Sequence, residues 1–130
     1  VLELTMAAVS GTDEGATAGM QMADAPSTPG SVLRVGRDKA VCRLGTPSDW
    51  LFVSRVHLEF QYGSDGVWHL TWLRGSQPDP SSEVRILAGG AAHPLAYGGT
   101  VALPPGGSGE IVIQDRTSPR SVNVGFHHEA

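Results

Sequence analysis

The feature that most restricts the fold of this chain is how soon every patterned segment is interrupted. Apolar and polar residues alternate over short stretches, glycine or proline then intervenes, and no run of ten or more residues carries a helical stripe. Alternation with period two puts successive side chains on opposite faces of a strand, so each segment reads as a strand with one face to bury. The 17 Gly and 9 Pro among 130 residues supply the turns and exclude a helical bundle, because both residues are poor in helix interiors. Short strands with one apolar face are stable when two sheets pack together, which predicts an all-β sandwich. A chain of this length suits one such core, not two.

The clearest strand is 53–62, in which Val56, Leu58 and Phe60 alternate with His57, Glu59 and Gln61. The Gly-Ser-Asp-Gly run at 63–66 is a hairpin turn into 67–73, so these two strands are expected to be antiparallel neighbours. Leu33 and Val35 alternate with Arg34 in a strand expected over 31–37, and 40–44 repeats the pattern in short form. Further strands are expected at 1–9, 19–23, 83–87, 100–103, 110–114 and 121–126. Residues 74–82 contain two prolines and read as a long exposed loop. Trp68 and Trp72 lie four apart on one strand and share a face, which assigns both to the core rather than to a stacking platform for bases.

Nine basic against thirteen acidic side chains give a net charge of −4, which argues against a nucleic-acid partner gripped over a whole face. No apolar run is long enough for a membrane-spanning helix, and residues 1–20 show no secretory signal, so no membrane partner is expected. Cys42 is the only cysteine, which excludes an internal disulfide. A reduced, cytoplasmic setting is therefore expected, with Cys42 a small buried residue of the 40–44 strand. Only Lys39 among the basic residues is lysine, a bias that suggests a bacterial coding sequence. His127, His128 and Glu129 lack the further ligands of a metal site, so 127–130 reads as a frayed tail after a single domain over 1–126. No metal and no other cofactor is expected.

Three short signals fall in a fixed order: Gly36-Arg37, then Ser54-Arg55-Val56-His57 seventeen residues on, then Gly75-Ser76 after the tryptophan-containing strand. Together with the late segment 87–103, where a short turn, the Pro94-Leu95 step and a glycine-polar pair precede an apolar strand, this order resembles the forkhead-associated (FHA) domain from Leu2 to about Phe126. The resemblance implies an eleven-stranded β-sandwich whose loops at one end grip a phosphothreonine peptide, the product of a Ser/Thr kinase. It implies a signalling module that is not an enzyme and whose partner is a phosphothreonine-containing protein, with a kinase or its substrate as the candidates. Phosphate carries close to two negative charges and three acceptor oxygens, which suits guanidinium and hydroxyl donors on short loops. By similarity Arg37 donates to the phosphate, Ser54 offers its hydroxyl, and Arg55 adds a second positive charge. Gly36 permits a tight bend beside Arg37, His57 braces the loop from inside the fold, and Ser76 and Gln77 border the peptide.

The pattern also departs from the family's. Pro78 stands where FHA domains carry an asparagine that holds the peptide backbone, and proline offers neither a side-chain amide nor a backbone donor. Gln77, Ser81 and Ser82 are the candidates to replace that amide. The substitution also motivates a second reading, a docking or oligomerisation domain that has lost phosphopeptide binding. A third reading pairs Ser54 with His57 as nucleophile and base; it is disfavoured because residues three apart on a strand face opposite ways and no third member is evident. Trp50, in the loop before the Ser-Arg-Val-His run, either contacts residues flanking a phosphothreonine or folds back onto the sandwich edge.

Overall fold

The computed structural model describes residues 1–10, 17–46, 50–74, 79–88, 90–103 and 107–128. Within them lie eleven strands: β1 (Leu2–Ser10), β2 (Thr17–Ala25), β3 (Val32–Gly36), β4 (Leu44–Gly45), β5 (Leu58–Tyr62), β6 (Trp68–Trp72), β7 (Ser82–Ala88), β8 (Ala91–Leu95), β9 (Thr100–Ala102), β10 (Ser108–Asp115) and β11 (Arg120–His128). They form two sheets, ordered β2-β1-β11-β10-β7-β8 and β4-β3-β5-β6-β9. The inward residues of the two sheets, among them Leu4, Phe60, Trp68, Leu70, Ile111 and Val124, are fully buried and make one core. No described helix is long and apolar enough to cross a membrane.

The hairpin at 63–66 forms as its sequence predicts. The Gly63 N–H donates to the Val67 carbonyl at 3.0 Å, Gly66 takes a positive φ of 77°, and β5 pairs antiparallel with β6 from Leu58↔Trp72 to Tyr62↔Trp68. Trp68 and Trp72 are both buried, at 0% and 3% exposure. The sheets are joined at one edge by Gln21, whose amide accepts from the Gly45 N–H at 3.0 Å and donates to the Gly45 carbonyl at 2.6 Å. That contact supplies β4, an edge strand of two residues, with a neighbour on its outer side.

Several boundaries differ from the sequence reading, each for a local reason. The 40–44 segment is mostly a turn: the Val41 and Cys42 N–H groups both donate to the Asp38 carbonyl and the Ala40 N–H donates to Asp38 Oδ1, so only Leu44–Gly45 pairs, parallel to β3. Cys42 is buried, but in this turn, with its Sγ 3.5 Å from the Arg55 carbonyl. The strand expected from Val53 starts at Leu58, because the backbone of 53–57 is spent on contacts with the end of β3. The last strand runs on to His128, which is 3% exposed and pairs with Leu2, so His127 and His128 belong to the sheet and not to a tail.

Candidate functional site

β3 ends at one pole of the sandwich and hands Arg37 to the turn that follows. The segment 53–57 crosses this strand end in a close backbone contact. The Arg37 N–H donates to the Ser54 carbonyl (3.2 Å), the Asp38 N–H to the Arg55 carbonyl (2.9 Å), and the His57 N–H to the Val35 carbonyl (2.8 Å). Gly36 makes this approach possible. A Cβ there would overlap the Arg55 carbonyl oxygen and lie 2.8 Å from its carbon and 2.9 Å from Val56 Cα. The requirement is for space and not for the bend expected from sequence, since Gly36 is not among the positive-φ glycines.

Arg37 directs its Nε–H to the Val53 carbonyl, and among the described residues its two Nη groups have no partner. Ser54 is partly exposed and its hydroxyl has no partner among the described residues, while the Arg55 side chain is exposed and makes no ion pair there. These three side chains line one cleft of about 460 Å³, with Leu51, Pro80, Ser81 and Tyr97 on its other sides. Sequence reasoning did not single out Leu51 or Tyr97. The available signal for Tyr97 was an aromatic residue directly before Gly98-Gly99 in the 96–99 turn.

His57 is the brace beneath this cleft. It is 1% exposed, its ring stacks on Trp72 at 5.6 Å, and its Nδ1 accepts the Ser54 N–H at 2.9 Å. With Nδ1 an acceptor, the proton sits on Nε2, which faces the Ser82 hydroxyl at 3.4 Å. Burial pushes the imidazole pKa down to about 4, so the ring is neutral at pH 7. The Ser54 and His57 side chains do not form a nucleophile–base pair. The residues meet because 53–57 is a turn and not a strand, yet the contact uses the serine backbone and occupies the imidazole lone pair.

The 50–53 stretch is fixed from the opposite sheet. Trp50 folds back, 9% exposed, with Phe52 at 5.5 Å, and the Arg120 guanidinium lies 5.4 Å from both rings. Arg120 is in turn held by Asp115 at 3.1 Å. Burial alone would raise the Asp115 carboxyl pKa. Hydrogen bonds from Ser118, from the Thr117 N–H and hydroxyl, and from Arg120 outweigh it and hold the group at about 2. Trp50 is thereby a support of the Arg37 loop and not a surface for flanking residues.

Ser76, Gln77 and Pro78 lie outside the described residues. Of the other candidates to replace the missing amide, Ser82 is fully buried against His57, whereas Ser81 is exposed and lines the cleft. Burial, with Asp38 nearby, raises the thiol pKa of Cys42, whose Sγ lies against the Arg55 carbonyl. Among the described residues no three His, Cys, Asp or Glu side chains group to hold a metal ion.

No family model matches the chain, and no curated protein matches it by sequence. Solved structures do. The N-terminal FHA domain of Rad53p from S. cerevisiae, crystallised with a phosphothreonine peptide, superposes with a TM-score of 0.61 at 14% identity, over 95% of this chain and 93% of that one. An engineered FHA domain with a Myc-pTBD peptide gives 0.60 at 15% identity, over 96% and 91%. The solution structure of the yeast Rad53 FHA1 domain gives 0.55 at 15% identity, over 97% and 78%. With eleven strands in two sheets matched over nearly the whole length, this chain has the forkhead-associated fold.

Proposed function

We propose that this chain is a non-catalytic interaction module that reads phosphothreonine on a protein partner phosphorylated by a Ser/Thr kinase. The observation that carries the reading is the convergence of Arg37, Ser54 and Arg55 on one cleft, on loops locked by Gly36 and His57. Two guanidinium groups and a hydroxyl match the charge and acceptor oxygens of a phosphate, and in a chain of net charge −4 their clustering is local. The peptides bound to two of the similar structures support the same reading. The cleft has an apolar side as well, where Leu51 and Val56 can receive the threonine methyl, worth about 1 kcal/mol over serine. A reduced cytoplasmic setting, where such kinases act, fits the single free cysteine.

The test is a degenerate phosphothreonine peptide library presented to the domain and to Arg37→Ala. Binding of phosphorylated peptides that falls at least about tenfold in the variant is expected, in line with loss of a charge-assisted bond. A partner retained after phosphatase treatment and in Arg37→Ala would replace this reading with phosphate-independent docking.

A further inference from the structure

The six-stranded sheet ends on a strand that offers itself for continuation, and we propose that a second copy of this chain pairs with it, β2 against β2, antiparallel across a two-fold axis at Gln21. Four strands stand at the sheet edges. Three are poor templates, since β4 has two residues, β9 has three and β8 carries Pro94. β2 has nine residues with neither proline nor lysine. Its pairing with β1 is regular from Met20 to Ala25, the bulge falling between Met20 and Thr17.

The outward face of this edge is apolar. Met20 and Met22 are 69% and 78% exposed, at a place where edge strands commonly carry a protecting charge. Beside them stand Ala7 and Thr5 of β1, and next Asn123 and Gly125 of β11, so these two rows carry no charge across three strands. The charges of this face begin one pair further along, at Asp24 and Glu3.

Symmetry selects a second copy as the occupant. Residues directly opposite in an antiparallel pair share a face, so a two-fold axis normal to the sheet passes through a residue and not between two. With the axis at Gln21, Met20 lies opposite Met22 of the second copy, and four methionines close into one apolar cluster. An axis at Met22 or Ala23 would instead set a methionine against an Asp24 carboxylate. The short palindrome Met20-Gln21-Met22 thus fixes the register. The two Asp24 residues then sit on opposite sides of the axis, about 20 Å apart at the strand rise and beyond the screening length of about 10 Å at 0.1 M salt. No β2 residue lines the Arg37 cleft, so the pairing leaves that lining untouched. One strand edge per copy is a small interface, which makes the contact weak and dependent on concentration.

The experiment is sedimentation velocity of the chain from about 5 to about 500 µM, a range suited to a small interface. A monomer–dimer equilibrium is expected for the wild type. Added salt should leave it unchanged or strengthen it, because the contact is apolar and both copies carry a net charge of −4. The double variant Met20→Lys, Met22→Lys should dimerise at least about tenfold more weakly. The register is read by mild oxidation of Met20→Cys mixed with Met22→Cys, because positions opposite one another lie within disulfide reach and a position and its own symmetry mate do not. Cross-links are expected chiefly between the two variants and little in either alone, with Cys42, 5% exposed, taking no part. A wild type that stays monomeric throughout overturns the second copy as occupant and leaves the edge to a different extended chain. A dimer that survives the lysine variant, or cross-links formed as readily in each cysteine variant alone as in the mixture, overturns the pairing through β2 at Gln21.

Discussion

Acid should weaken this fold through His57, well above the pH at which carboxylates protonate. The buried ring is neutral in the folded protein, with its pKa pushed down to about 4 from 6.5. In the unfolded chain the same imidazole regains its ordinary affinity for protons, so the unfolded state takes up the proton first as pH falls. The stabilisation is therefore complete above pH 6.5 and is lost progressively down to pH 4. Each pKa unit corresponds to about 1.4 kcal/mol, which makes the full effect about 3 kcal/mol and the loss between pH 7 and pH 5 about 2 kcal/mol. Protonation at Nδ1 also removes the acceptor for the Ser54 N–H, so the cost falls on the 53–57 turn itself. The assay is urea unfolding followed by tryptophan fluorescence at pH 7, 6 and 5, for wild type and His57→Asn. The asparagine offers a neutral acceptor without titrating in this range. Wild-type stability is expected to drop by about 2 kcal/mol more than the variant's over the interval. Parallel decline in the two proteins would refute the assignment of the acid response to His57.

Two further perturbations probe how the site is held together. Gly36→Ala places a Cβ against the Arg55 backbone and is expected to cost about 1–3 kcal/mol, measured by chemical denaturation, together with weaker phosphopeptide binding; an unchanged midpoint would contradict the close-approach argument. The indole N–H of Trp68 donates to Ser27 at 3.0 Å, whereas that of Trp72 is buried without a partner among the described residues. Trp72→Phe is accordingly expected to cost about 1 kcal/mol less than Trp68→Phe in the same measurement, because only the second loses a satisfied hydrogen bond.

Much of the sandwich was legible because its core strands carry their burial in their sequence. Leu33 and Val35, Leu58 and Phe60, and Trp68, Leu70 and Trp72 alternate with exposed or half-exposed neighbours, and each group lies on a strand of the inner face. Alternation misled at Val53 to His57, where the same pattern belongs to a turn whose carbonyls are taken by Arg37 and Asp38. It was silent at β8, an edge strand whose first four residues are exposed and which contains Pro94. Arg37, Ser54 and Arg55, which line one cleft, were singled out through short motifs, but the reason for Gly36 was not. Only the three-dimensional crossing shows that the Arg55 backbone occupies the space a side chain would need. The aromatic side of the cleft was hidden for a similar reason. Trp72 reads as core, which it is, and its second role depends on Tyr97 arriving from a turn 25 residues away.

The most direct test of the central claim is an NMR titration of the uniformly labelled domain with a phosphothreonine peptide mixture beside its unphosphorylated counterpart. The account predicts shifts in the backbone amides of Arg37 and of 54–57 that appear only with phosphate and vanish in Arg37→Ala. Shifts that are the same with and without phosphate, or none at millimolar peptide, would contradict it.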